Sequence, residues 1–209
     1  MSYAAYWPEF ALLAGAHIGA VISPGPDFLV TLKQSVQRGL HSALWTALGI
    51  GSGILVHISY VILGVAVFLR YQPVLFRGLQ YLGVVYLLWL AWHCLRSNNV
   101  SKLSVEHALA PPQTPLKAYA LGFLTNVLNP KATLFFLALY TSVVSRSTPV
   151  AVQVFYGLWM ALTTALWFSF VSYVMVRPQV RLRFLSYGPW LDRCLGVLLL
   201  LVAMRLLFL

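Results

Sequence analysis

Acidic residues are nearly missing from this chain: four among 209, against fourteen Lys and Arg. Charged residues of all kinds make up only 9%, where a soluble domain carries about 25%. With 60% hydrophobic residues and a mean hydropathy of +0.82, a water-exposed globular domain is excluded and an all-α integral membrane protein is indicated. Cysteine is scarce too. Cys94 and Cys194 stand alone, with no CxxC or Cys/His spacing, so reduced thiols and no metal are expected. No GxxxxGK[ST] loop exists to hold a nucleotide, and neither HExxH nor GxSxG occurs. With only Glu9, Asp27, Glu106 and Asp192 as acids, no carboxylate pair is expected within the membrane. These absences point away from an enzyme and from any cofactor. The net charge of +10 would suggest nucleic acid only if the basic residues shared one surface. They fall instead in the gaps between apolar runs, as the positive-inside rule requires, so nucleic acid is not an expected partner and the lipid bilayer is.

Crossing the hydrocarbon takes about 20 apolar residues. Six segments qualify: 8–35 (interrupted at 23–27), 43–69, 74–95, 117–141 (interrupted at 129–130), 150–176 and 187–207. The first is not read as a cleaved signal, because it lacks a basic start and a small-residue cleavage site. Trp7, Trp45, Trp92 and Trp190 fall near segment ends, where interfacial anchors belong. The polar, proline-rich stretch 97–116 reads as a linker between a repeat at about 8–96 and a second at about 117–209. Three crossings per half make the second half inverted relative to the first. With the N-terminus outside, the inner side holds Lys33, Arg38, Arg96, Lys102, Lys117, Arg177, Arg181, Arg183 and Arg193, and the outer side only Arg70, Arg77, Arg146 and Arg205. That bias puts both termini outside.

The two interrupted segments carry the chemistry. In the first, Ser23-Pro24-Gly25-Pro26-Asp27 stops a helix where it should run unbroken, since each proline removes a donor and clashes with the preceding turn. In the fourth, Asn129-Pro130-Lys131 does the same. Broken backbone at membrane depth survives only when it is buried in protein or lines a wet cavity. Paired, proline-interrupted segments in inverted halves are the best sequence pointer to a transporter's binding site. Pro26 can open a half-helix and put Asp27 in its first turn, near the positive end of the dipole. A carboxylate at that depth costs roughly 2.5–3.5 kcal/mol, so Asp27 is a candidate acceptor for an amino group or a carrier of a proton. Asn129 can cap and Pro130 can open the other half-helix, leaving Lys131 in its first turn, where a cation opposes the dipole. Lys131 therefore needs an anion nearby, either Asp27 or a bound carboxylate.

Opposite charges at two facing breaks describe a receptor for a zwitterion, and the free α-amino acid is the small solute of that shape. Ser23, Gly25, Asn126 and Asn129 are the further candidate contacts, with Thr125 beside them. His17 and His57, well inside the first two segments, are candidate proton-coupling groups with Asp27, or else helix-to-helix hydrogen-bond donors. Gly15-x-x-x-Gly19 and Gly49-x-x-x-Gly53 permit close helix packing, within the chain or in a homodimer. A rival reading, a cation or metal transporter, would use His17, His57 and Asp27, with Lys131 repelling the ion. A membrane scaffold would account for the apolar runs but not for a charged, broken centre.

Ser23-Pro24-Gly25-Pro26-Asp27-Phe28, then Gly39, Gly49, Gly53 and His57, then Gly122-Phe123-Leu124-Thr125-Asn126 running into Asn129-Pro130-Lys131-Ala132, together resemble the LysE/RhtB family of amino-acid exporters. The resemblance covers essentially the whole chain, and is greatest to the homoserine/threonine exporter branch. It implies a bacterial inner-membrane protein that exports amino acids in exchange for protons, with the solute left open by the resemblance. The leading reading is export of small neutral amino acids.

Overall fold

Residues 6–23, 25–71, 73–96, 111, 113–145 and 147–207 are described by a computed structural model. Pro24 and most of the 97–116 stretch lie outside the described residues. Every described element is helical: α1 (Trp7–Ile22), α2 (Pro26–Arg38), α3 (Leu40–Tyr71), α4 (Pro73–Leu95), α5 (Pro115–Val127), α6 (Pro130–Val143), α7 (Val150–Met175) and α8 (Pro178–Leu207). Five of these helices begin on a proline, which suits the first helical position because its missing N–H would have no intrahelical partner there. At the other end of α2, Gly39 takes a φ of 84°, a left-handed conformation that glycine adopts without steric cost.

Helix bounds and apolar segments differ most at the C-terminal end. α8 starts at Pro178, before the apolar segment at 187, because the polar stretch ahead of it is helical without being apolar. Arg193 therefore sits well inside a helix, and not in a loop as the sequence reading has it. Two helices, Leu40–Gly64 of α3 and Val150–Met175, are by themselves long and apolar enough to cross a membrane. α7 shows both of its faces clearly. Tyr156, Met160, Thr164, Phe168, Val171 and Met175 are buried at helical spacing, while Leu158, Leu162, Leu166 and Phe170 are more than half exposed. An apolar outer face of that extent fits lipid and not water.

α3 is the hub, packed on α5 and α7 and also against α2 and α6, while α4 packs on α8 and α6. The α3–α5 seam is built on glycine. A Cβ on Gly122 would lie 2.0 Å from the Thr46 carbonyl oxygen, and one on Gly49 would lie 2.1 Å from that of Tyr119. Backbone thus meets backbone, the close approach that small residues allow in membrane helices. The Gly49-x-x-x-Gly53 pattern accordingly packs within the chain, against α5. Gly15 does not: a Cβ there would meet nothing within 4 Å.

Candidate functional site

The break between α1 and α2 and the break between α5 and α6 meet at the centre of the bundle. α1 ends at Ser23, whose N–H closes on the Gly19 carbonyl. Gly25 follows in extended backbone, with Pro26 opening α2. On the other side, Asn129 caps α6 with its side-chain oxygen, which accepts from the Lys131 N–H at 3.0 Å. An Asn cap of this kind satisfies a donor left over at the start of the helix.

Asn129 also joins the two breaks. Its amide donates to Asp27 Oδ2 at 3.3 Å, and the Asn126 amide donates to the same oxygen at 3.0 Å. Asp27 is thereby held from the opposite half of the chain, with its other oxygen, Oδ1, buried and free of any protein partner. Asn126 Oδ1 is likewise buried without one. Buried acceptors left unmatched are rare and costly, and these two oxygens, one from each break, have acceptor capacity to spare for N–H donors.

Lys131 lies across the break from Asp27, but its ammonium turns elsewhere. Nζ donates to Ser23 Oγ at 3.1 Å, and Ser23 in turn donates to Asp192 Oδ1 of α8, also at 3.1 Å. The Lys131 side chain runs over Gly25, where a Cβ would lie 3.7 Å from Nζ. Asp192 is only 7% exposed. Asp192, buried, and Asp27, partly buried, both act on the one lysine, and no contact joins the two carboxylates themselves. Sequence reasoning passed over Asp192.

A cavity of about 50 Å³ lies among these groups, walled by His17, Ser23, Gly25, Asp27, Asn126, Asn129 and Lys131, with Phe28, Phe136 and Phe168 supplying apolar surface. It is room for a few waters and no more, so a larger solute requires the helices to part. His17 reaches this wall, and its Nε2 faces the Met160 carbonyl at 3.2 Å and Thr164 Oγ1 at 3.0 Å. Because a carbonyl only accepts, Nε2 carries the hydrogen and Nδ1 is left as a buried acceptor without a partner. His57 stands behind the site. Its Nε2 donates to the Asn126 carbonyl at 3.0 Å and its Nδ1 pairs with the Tyr60 hydroxyl at 2.7 Å, so both nitrogens are engaged. Thr125 spends its hydroxyl on the Leu121 carbonyl of its own helix. Among the described residues, no three His, Cys, Asp or Glu side chains converge as metal ligands would, and both cysteines are free thiols.

Comparison with known proteins bears on the same region. The chain is 29% identical to a threonine efflux protein of Escherichia coli (strain K12), over 90% of its own length and 92% of that protein's. It is 35% identical to a leucine efflux protein of Salmonella choleraesuis (strain SC-B67), over 69% of this chain and 65% of that one. An uncharacterized membrane protein of E. coli K12, YahN, is 23% identical over 94% of the chain. No solved structure matches. The family model described as LysE type translocator covers residues 18–209, a span that takes in both breaks and every cavity residue but His17. With both breaks inside that match, the chain belongs to the LysE type translocator family of integral membrane proteins.

Proposed function

We propose that this chain exports small neutral amino acids across the bacterial inner membrane in exchange for protons. The observation that carries the reading is the meeting of the two breaks around Asp27, with one carboxylate oxygen held by Asn126 and Asn129 and the other left open. An α-ammonium group offers three donors, enough for Asp27 Oδ1 and Asn126 Oδ1 together. Lys131 has two further N–H donors beyond the one given to Ser23, and these would meet the solute's carboxylate. Gly25 lets the lysine lie flat against the first break. Asp27 takes the ammonium on one leg of the cycle and a proton on the other, so solute and proton compete for one seat, as exchange demands. His17 offers its free Nδ1 to a side-chain hydroxyl such as that of threonine. His57, with both nitrogens engaged, holds α3 to the end of α5 and moves no proton.

The eight helices form six spans in two inverted halves, about 8–96 and 117–209, with α1–α2 and α5–α6 as the broken pairs and both termini on the periplasmic side. The packing of α3 against α7 and of α4 against α8 supports such a pairing, since each would be related to its own counterpart. The dense α3–α5 seam has only a slight counterpart between α1 and α7, the asymmetry expected of a transporter resting in one of its two states. The threonine and leucine efflux relatives support an amino-acid solute. The test is counterflow of labelled threonine and leucine in proteoliposomes under an imposed pH gradient. Wild type should concentrate one of them, and Asp27→Asn and Lys131→Met should each lose at least about a hundredfold in kcat/KM, the loss expected when a charge-assisted contact is removed from a desolvated site. Equal flux by all three proteins would remove both residues from the mechanism.

A further inference from the structure

Lys131 and Asp27 line the same small cavity, yet no ion pair joins them. The lysine is drawn instead to Ser23, and through Ser23 to Asp192 on α8. Hydrogen-bond directions along this chain allow no ambiguity: an ammonium only donates, a carboxylate only accepts, and the serine hydroxyl passes the link from one to the other. The consequence for the site is large. Two opposite charges on flexible and fixed arms within the protein attract more strongly than in water, and a direct Lys131–Asp27 pair would occupy the very groups that a zwitterion needs. Asp192 supplies the competing negative charge on the far side of the lysine.

We propose that Asp192, acting through Ser23, is a positioning residue that holds the Lys131 ammonium off Asp27 and so keeps both charges available to a dipolar solute. It deepens the transport reading and rests on it for the identity of that solute, but the geometric claim stands on the three side chains alone. Ser23 is then part of the tether and not a direct contact. The titratable groups around Lys131 are Asp27 from α2, Cys94 from α4 and Asp192 from α8. Only the two acids can balance its charge while Cys94 stays a thiol. Removing Asp192 leaves Asp27 as the one counter-charge within reach.

The experiment uses the full-length protein in liposomes treated with a membrane-permeant carbodiimide, which joins a carboxylate and an amine only when they touch. Digestion and mass spectrometry then read peptide pairs linked with loss of one water. In Asp192→Asn, a Lys131–Asp27 link should appear at five times the wild-type yield or more, and Asp192→Glu should return it to the wild-type level. Ser23→Ala should raise it too. In parallel, the KM for threonine counterflow should rise at least tenfold in Asp192→Asn and recover in Asp192→Glu. A Lys131–Asp27 link equally abundant in wild type and Asp192→Asn, or absent from both, overturns the proposal. If the link behaves as expected but wild type moves no amino acid, the tether stands and the transport reading falls.

Discussion

Alanine at Gly122 should disable the protein from a distance, while the same change at Gly15 should do nothing harmful. A methyl group on Gly122 would sit 2.0 Å from the Thr46 carbonyl oxygen, where ordinary contact begins at 3.4 Å. That oxygen belongs to the backbone of α3 and cannot swing aside. The two helices must therefore part by roughly 1 Å, the scale of misplacement that costs an active site about 10²-fold. One turn beyond Gly122 is Asn126, whose amide holds Asp27 at 3.0 Å and whose carbonyl takes the His57 hydrogen bond at 3.0 Å. Overpacking of this kind costs about 1–3 kcal/mol, set against a gain of about 1 kcal/mol in helix propensity on replacing glycine by alanine. At Gly15 no atom lies within 4 Å of the new methyl, so only the propensity gain operates. The assay is threonine counterflow together with thermal unfolding in detergent. Gly122→Ala should unfold earlier and transport about a hundredfold more slowly, and Gly15→Ala should match or exceed wild-type stability with unchanged flux. Wild-type flux and stability in Gly122→Ala would refute the claim that a glycine-built seam positions the site. Gly49→Ala opens the same seam, so the double variant with Gly122→Ala should cost clearly less than the two single losses combined, as coupled neighbours do.

Asn129 does two jobs that substitutions can separate. Asn129→Ala should lower stability by about 1 kcal/mol through loss of the α6 cap and also weaken solute binding. Asn129→Ser keeps a capping oxygen for the Lys131 N–H but loses the donor to Asp27, so it should keep most of the stability while the KM rises severalfold. His57→Phe removes one hydrogen bond from the Asn126 carbonyl, which keeps the Asn129 N–H, and one from the Tyr60 hydroxyl, a cost of about 0.5–1.5 kcal/mol for each bond visible in thermal unfolding. The pH profile of counterflow should keep its shape in that variant, and a displaced profile would make His57 a proton carrier after all. Gly39→Ala forces a side chain into a φ of 84° and should destabilise by about 1 kcal/mol, measured by the same unfolding curve, with no change in KM.

The breaks were readable because their causes are local. Pro26, Asn129 and Pro130 act on the residues beside them, by a missing donor, a clashing ring and a capping oxygen, and the helices indeed stop and restart there. Glycine spacing was a weaker guide because it states what a helix surface permits and not what approaches it. Gly15 and Gly49 head motifs of identical form, yet one meets open space and the other a backbone carbonyl. α8 extends beyond its apolar segment for a different reason: hydropathy reports where lipid is tolerated, and a polar stretch can be helical ahead of that point.

Asp192 was passed over, although the argument that singled out Asp27 applies to it with equal force. A carboxylate in an apolar span is expensive unless something receives it, whichever span it occupies. With the sixth span begun at 187, Asp192 falls in its second turn, beside Arg193. With α8 begun at Pro178, the same residue lies at mid-helix, buried, while Arg193 faces outward. Its hydrogen-bond donor, Ser23, stands 169 positions earlier, a separation that leaves no periodic trace. What the chain does carry is an unpaid charge at depth, and every such charge requires a partner to be found before the span is taken as inert.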